Sequence, residues 1–201
     1  MIEQLQALLD VKAIIQWGGI AGITAIVFVE TGLFFGFFLP GDSLLVTAGI
    51  LAAAGLLDIR WLILSATAAA IIGDQTGYFI GRRAGQALVH RYEKFRVHLE
   101  RAHNFYEKYG NKTIVLARFV PIVRTFVPAV AGAAGMNYQR FVTYNILGGI
   151  LWVLGTSLLG YGLGRTIPQI DRYLHLVIAV VVFLSILPSI IEWRRHSKGT
   201  K

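Results

Sequence analysis

Phe119–Met136, FVPIVRTFVPAVAGAAGM, decides how the rest of the chain is read. It is apolar enough to sit in a bilayer. Yet together with Arg118 just before it, it carries two arginines, two prolines and two glycines within 19 residues. An arginine at the bilayer centre costs roughly 2.5–3.5 kcal/mol on insertion scales. A proline inside a helix removes a donor and costs about 3 kcal/mol. Irregular backbone at membrane depth is tolerated only where protein buries it or where it lines a wet cavity. The stretch therefore predicts a re-entrant helical hairpin at a functional site.

The surrounding composition fits an integral membrane protein of a single domain: 201 residues, 55% hydrophobic, with a mean hydropathy of +0.61. The net charge of +8 is clustered. Residues 82–112 hold eight Lys/Arg against Glu93, Glu100 and Glu107, and the tail holds Arg194, Arg195, Lys198 and Lys201. Both clusters flank apolar runs, so they read as cytoplasmic positive-inside segments and not as a nucleic-acid surface. The absence of cysteine excludes disulfides and thiolate metal sites. No basic n-region or cleavage site marks a signal peptide.

Residues 1–16 predict a short interfacial helix, and residues 17–57 are apolar apart from Glu30 and Pro40-Gly41-Asp42. A further apolar run from Trp61 to Tyr78 contains Asp74. Tyr92, Phe95, Leu99, Ala102, Tyr106 and Tyr109 mark an amphipathic helix. Spanning runs follow over residues 141–163 and about 173–193. If residues 114–136 crossed as well, the two basic clusters would face opposite sides; a hairpin that returns keeps both, and the C-terminus, cytoplasmic.

The chain also repeats itself. Gly77-Tyr78-Phe79-Ile80-Gly81-Arg82 matches Gly160-Tyr161-Gly162-Leu163-Gly164-Arg165, and Ala48-Gly49 matches Ala131-Gly132 at the same distance upstream. Phe38-Leu39-Pro40 resembles Phe119-Val120-Pro121, two residues out of step. The fold class expected is an all-α membrane protein. It is an inverted repeat of re-entrant hairpin plus transmembrane helix (residues 17–82 and 113–165), with a cytoplasmic amphipathic segment (83–112) between the repeats and a C-terminal transmembrane helix. In such transporters, broken segments of the two halves form the site.

Four charges fall in the two hairpins: Glu30 and Asp42 in the first, Arg118 and Arg124 in the second. Unpaired, they would cost on the order of 10 kcal/mol, so acids and arginines are expected to pair. One reading is a structural ion-pair core. The sharper one is a switchable anion site. Arginine offers a planar fork suited to phosphate, and an apolar setting disfavours the charged carboxylate. Protonating Glu30 or Asp42 would then free an arginine for phosphate. Asp74 is expected to hydrogen-bond a neighbouring backbone or Asn145. Asp74, Pro40, Gly41, Pro121 and Asn145 are secondary candidates for the site. Gly148, Gly149, Gly155, Gly160 and Gly164 read as close-packing positions, and Trp61, Trp152 and Trp193 as interface anchors. His90, His98 and His103 lack metal-ligand spacing. No nucleophile–base pair, phosphate loop or metal cluster is present in the sequence, so neither enzymatic activity nor a cofactor is expected.

Glu30 with Leu39-Pro40-Gly41-Asp42, then Gly73-Asp74 before the Gly-Tyr motif, then Arg118-Phe119-x-Pro121-x-x-Arg124-x-Phe126, then Ala131-Gly132 before Met136, together resemble the DedA family, bacterial relatives of the VTT-domain lipid scramblases. The resemblance covers about residues 15–165. It implies a bacterial inner-membrane protein that transports lipid, with undecaprenyl phosphate and phospholipids as cargo and dependence on proton-motive force. It also implies functional roles for Glu30, Asp42, Arg118 and Arg124. Expected partners are membrane lipids and protons, with no nucleic acid, and homo-oligomer formation stays open. The alternatives are a phosphatidylethanolamine scramblase, a non-transporting scaffold and a small-ion antiporter.

Overall fold

The computed structural model describes residues 11–33, 41–91 and 112–167, and all regular structure among them is helical. In chain order the helices are α1 (Val11–Gly32), α2 (Gly41–Ala53), α3 (Ile59–Arg91), α4 (Lys112–Ala117), α5 (Pro121–Ala133) and α6 (Tyr138–Thr166). Pro40, the amphipathic helix expected beyond Arg91, His98, His103, Trp193 and the span at 173–193 lie outside the described residues. Of the interfacial helix expected over residues 1–16, only the part from Val11 is described, as the start of α1. Residues 83–91, expected to open the amphipathic segment, continue α3.

Helix length separates the elements. The 29 residues of α6 extend about 43 Å at 1.5 Å each, enough for a hydrocarbon core of about 30 Å. Among the described residues, α6 is the one helix both long and apolar enough to cross. The 13 residues each of α2 and α5 reach only about 20 Å. α1 is kinked at Gly19, whose φ of 51° favours glycine.

The ends of α2 and α5 are built alike. After α2, Leu56 N–H donates to Leu51 O at 3.0 Å and Gly55 N–H to Ala52 O at 3.1 Å. After α5, Met136 N–H donates to Ala131 O at 3.0 Å and Gly135 N–H to Gly132 O at 3.1 Å. Both stops need a left-handed residue, supplied by Gly55 (φ 79°) and Gly135 (φ 72°). Each is followed by a side-chain cap on the next helix. Asp58 Oδ1 accepts from Arg60 N–H at 2.8 Å, and Asn137 Oδ1 from Gln139 N–H at 3.0 Å.

The chain divides into two compact units. Among the described residues, the first contains α1 to Ile26, α2, α3 to Ala66 and α6 from Val153; the second contains the remainder. Inside the first, α2 lies directly on the α6 backbone. A Cβ on Gly160 would stand 2.0 Å from Val46 O, and one on Gly49 2.2 Å from Ser157 O. Inside the second, α5 lies on α3 in the same manner. A Cβ on Gly81 would be 2.1 Å from Ala129 O, and one on Gly132 2.0 Å from Tyr78 O. The end of α1 joins them at Gly32, where a Cβ would be 3.0 Å from Gly73 Cα. Tyr78, Ile114, Ala131, Met136 and Phe141 form the core here. The Tyr78 hydroxyl donates to Met136 O, and its ring stacks on Phe141 at 4.6 Å.

Two expectations for the small residues need correcting. Gly155 has open space where its Cβ would be, so it is no close-packing position. Gly148 and Gly149 do pack closely, but chiefly against the side chain of Arg118.

Candidate functional site

The second unit gathers four buried charges around the break between α4 and α5. After Ala117 the backbone turns through bonds from Arg118 N–H to Val115 O (3.3 Å), Phe119 N–H to Leu116 O (3.1 Å) and Val120 N–H to Ala117 O (3.0 Å). Pro121 then opens α5 at a position where its missing donor costs nothing. Arg118 therefore sits at the break. Arg124 lies one turn into α5, its N–H bonded to Val120 O at 2.9 Å. α5 then runs through Pro128 without ending.

Both arginines point inward, Arg118 4% exposed and Arg124 7%. Arg118 Nη2 donates to Asp74 Oδ2 on α3 and to Asn145 Oδ1 on α6. Asn145 is itself oriented, because its Nδ2 donates to Ile71 O at 3.1 Å. Arg124 Nη2 donates to Glu30 Oε1 near the end of α1, and its guanidinium carbon lies 4.6 Å from the centroid of the Trp152 ring. Asp74 and Glu30 are as buried as their partners. Two guanidinium groups thus face two carboxylates in an apolar setting, where each ion is tolerable only because it is paired.

The glycines make room for Arg118. A Cβ on Gly148 would be 3.1 Å from Arg118 Cδ, and one on Gly149 3.2 Å from its Nη1. The Nε and Nη1 groups of Arg118 are buried with no acceptor among the described residues. A guanidinium carries five N–H donors, so three of those of Arg118 are unmet among the described residues.

Of the residues expected at the site, the structure joins Glu30 to Arg124, and Arg118 to Asp74 and Asn145. The expected partner of Asp74 was a backbone group or Asn145. Instead Asp74 and Asn145 both hold Arg118, because a buried guanidinium outcompetes a neutral donor for a carboxylate. Asp42 stands half-buried in the first turn of α2, in the other unit, with Gly41 buried beside it. Trp152 is not an interface anchor. It is 2% exposed and serves Arg124. Trp61 is exposed. The sequence reading missed the roles of Gly148, Gly149 and Trp152. The signal was present: Asn145, Gly148, Gly149 and Trp152 follow i, i+3, i+4, i+7 and share one face of α6.

A family model, the VTT domain, matches residues 39–162. Protein DedA of Escherichia coli K12 is 47% identical over 179 residues, which are 87% of this chain and 81% of that protein. An uncharacterized membrane protein of Mycobacterium tuberculosis H37Rv is 46% identical over 179 residues, 87% of this chain and 78% of its own length. The inner membrane protein YqjA of E. coli K12 is 37% identical over 167 residues, 81% of this chain and 74% of its own length. No solved structure matches.

Proposed function

This chain belongs to the DedA family of VTT-domain membrane proteins, and on that premise we propose that it carries a phosphate-headed lipid across the bacterial inner membrane. The cargo is undecaprenyl phosphate, and the coupling ion is the proton. The observation that carries this reading is the pair of buried arginines. A purely structural ion pair has no use for a guanidinium such as that of Arg118, whose Nε and Nη1 lack acceptors among the described residues and which two glycines admit against α6. A site that takes up a phosphate does. Phosphate accepts from the guanidinium fork with charge-assisted bonds, and both arginines belong to the same unit of the fold.

The short helices α2 and α5 supply the re-entrant arms. α6, long and apolar enough to cross, supplies one crossing helix, and the 33-residue α3, less apolar but entered through the same glycine stop and capped first turn, is its counterpart in the first repeat. A re-entrant arm followed by a crossing helix, occurring twice along the chain and with the C-terminus cytoplasmic, is the inverted repeat expected from the sequence. Membrane relatives, one named an inner membrane protein, support the location. Glu30 and Asp42 are the proton-coupling acids. Protonating Glu30 removes the charge that holds Arg124 and leaves that arginine for the lipid. No covalent step is needed, so the protein is not an enzyme on this reading.

The test is translocation by the purified protein in liposomes. It compares undecaprenyl phosphate with labelled phosphatidylethanolamine for wild type, Arg118→Ala and Arg124→Ala, each checked for a monodisperse fold. Movement of the polyprenyl phosphate by wild type alone is the expected result. Preferential movement of phosphatidylethanolamine would replace the cargo by a phospholipid. Arginine variants as active as wild type would refute the phosphate site.

A further inference from the structure

The hold on Arg118 is lopsided. One nitrogen, Nη2, donates to both Asp74 and Asn145, while Nε and Nη1 are equally buried and find no acceptor among the described residues. Asn145 cannot swing away to serve another group, because its amide is tied to Ile71 O on α3. Gly148 and Gly149 let the α6 backbone pack directly on the side chain of Arg118, where a Cβ on Gly149 would stand 3.2 Å from Nη1. The guanidinium is therefore gripped at one end, while the donors at its other end are buried and unmet among the described residues.

We propose that Asp74 is a built-in competitor for the lipid phosphate at Arg118, that Asn145 positions the guanidinium between them, and that protonation of Asp74 releases Arg118 to the phosphate. The proposal rests on the reading that the arginines bind phosphate and adds a second, separate latch to the Glu30–Arg124 pair. The proton goes onto the Asp74 carboxylate, and the guanidinium keeps its charge throughout. Among the described residues, Asp74 is met by Arg118 from the α4–α5 break, whose Nη2 it shares with neutral Asn145 from α6. The field of Arg124 on α5 also reaches Asp74, and Arg124 in turn is held by Glu30 on α1. Each arginine thus has its own carboxylate on a different helix, so the two latches can open one at a time.

The experiment measures lipid binding by the full-length protein in nanodiscs between pH 5 and 8. The probes are undecaprenyl phosphate and phosphatidylglycerol; the phosphodiester of the latter keeps one charge over this range, so its pH dependence reports the protein. Wild type should bind phosphatidylglycerol more weakly as pH rises. Asp74→Asn, which keeps the shape but not the charge, should bind it at pH 8 more tightly than wild type, by a factor of about 5 to 150, with a shallower pH profile that reports the Glu30–Arg124 latch alone. Adding Arg118→Ala should abolish that gain. Asn145→Asp places a second carboxylate beside Arg118 and reads the same latch in reverse, with binding weakened at pH 8 and recovered at pH 5. Should Asp74→Asn fail to fold, Asn145→Asp decides the matter. Wild-type affinity and pH profile in either folded variant overturn the latch alone. If wild type binds neither lipid at any pH, the phosphate site falls with it.

Discussion

Neutralising Glu30 and Arg124, singly and together, measures how far their pairing is structural. The side chains are 2% and 6% exposed, so removing either leaves a charge stranded in an apolar interior. Stranding costs about 3–5 kcal/mol in buried pairs of this kind. Glu30→Gln should sit near 3 kcal/mol, because the amide oxygen can still accept from Arg124. Arg124→Gln should sit higher, because it also forfeits the Trp152 ring contact, worth about 2 kcal/mol when desolvated. In the double variant no charge is stranded, and the loss should fall to about 2 kcal/mol, since a buried pair contributes little beyond its own desolvation. The coupling energy is then at least about 4 kcal/mol, far above the 0.2–1 kcal/mol typical of exposed pairs. Denaturant titration in mixed micelles, followed by tryptophan fluorescence and far-UV circular dichroism, reads each value where the two probes coincide. Additive losses with each single variant below about 1 kcal/mol would refute the buried-pair argument. The double variant also separates stability from function: it should fold yet fail to bind undecaprenyl phosphate.

Two further outcomes follow from the backbone contacts. Gly132→Ala puts a Cβ 2.0 Å from Tyr78 O, so α5 must move off α3 at a cost of about 1–3 kcal/mol. Gly155→Ala, with nothing within 4 Å, should be neutral or gain up to about 1 kcal/mol in helix propensity; equal thermal midpoints for the two variants would contradict the packing. Gly135→Ala forces a side chain to adopt φ 72° at about 1–2 kcal/mol, and a midpoint unchanged from wild type would show that the α5 stop can relax.

Much of the site was legible in the sequence because membrane burial makes charge conspicuous. Glu30, Arg118 and Arg124 stand out of apolar runs, and the structure buries all three. The break before Pro121 followed from proline chemistry. What the sequence did not disclose is which acid meets which arginine. Charge counting pairs hairpin acids with hairpin arginines, whereas Arg118 takes Asp74 from α3. Pairing is decided by which helix faces pack, and a lone acid inside an apolar run looks the same whether it meets backbone or guanidinium. Trp152 was misread for a related reason. An aromatic residue in a spanning run resembles an interface anchor until the arginine beneath its ring is located.

The repeat shows the same limit more sharply. Adding 83 carries Gly49 to Gly132, Gly77 to Gly160 and Gly81 to Gly164, yet the contacts do not transfer one for one. Gly49 approaches Ser157 and Tyr161, whereas Gly132 approaches Tyr78 and Arg82. Val46 lies on Gly160, but its counterpart Ala129 lies on Gly81, which corresponds to Gly164. Relative to its long helix, α5 therefore docks one turn further along than α2 does, a shift of about 6 Å. Glycines spaced by four along α3 and α6 offer several docking turns of nearly equal sterics, so the motif marks the small-residue face without choosing the turn. The choice tracks residue 74. Its counterpart in the repeat is Ser157, whose backbone lies directly beneath Gly49. Asp74 instead carries a charge that must be met by Arg118, and in that unit the close approach of α5 falls one turn beyond it. The ion pair and the register shift are thus two sides of one departure from symmetry, and that departure is where the candidate site lies.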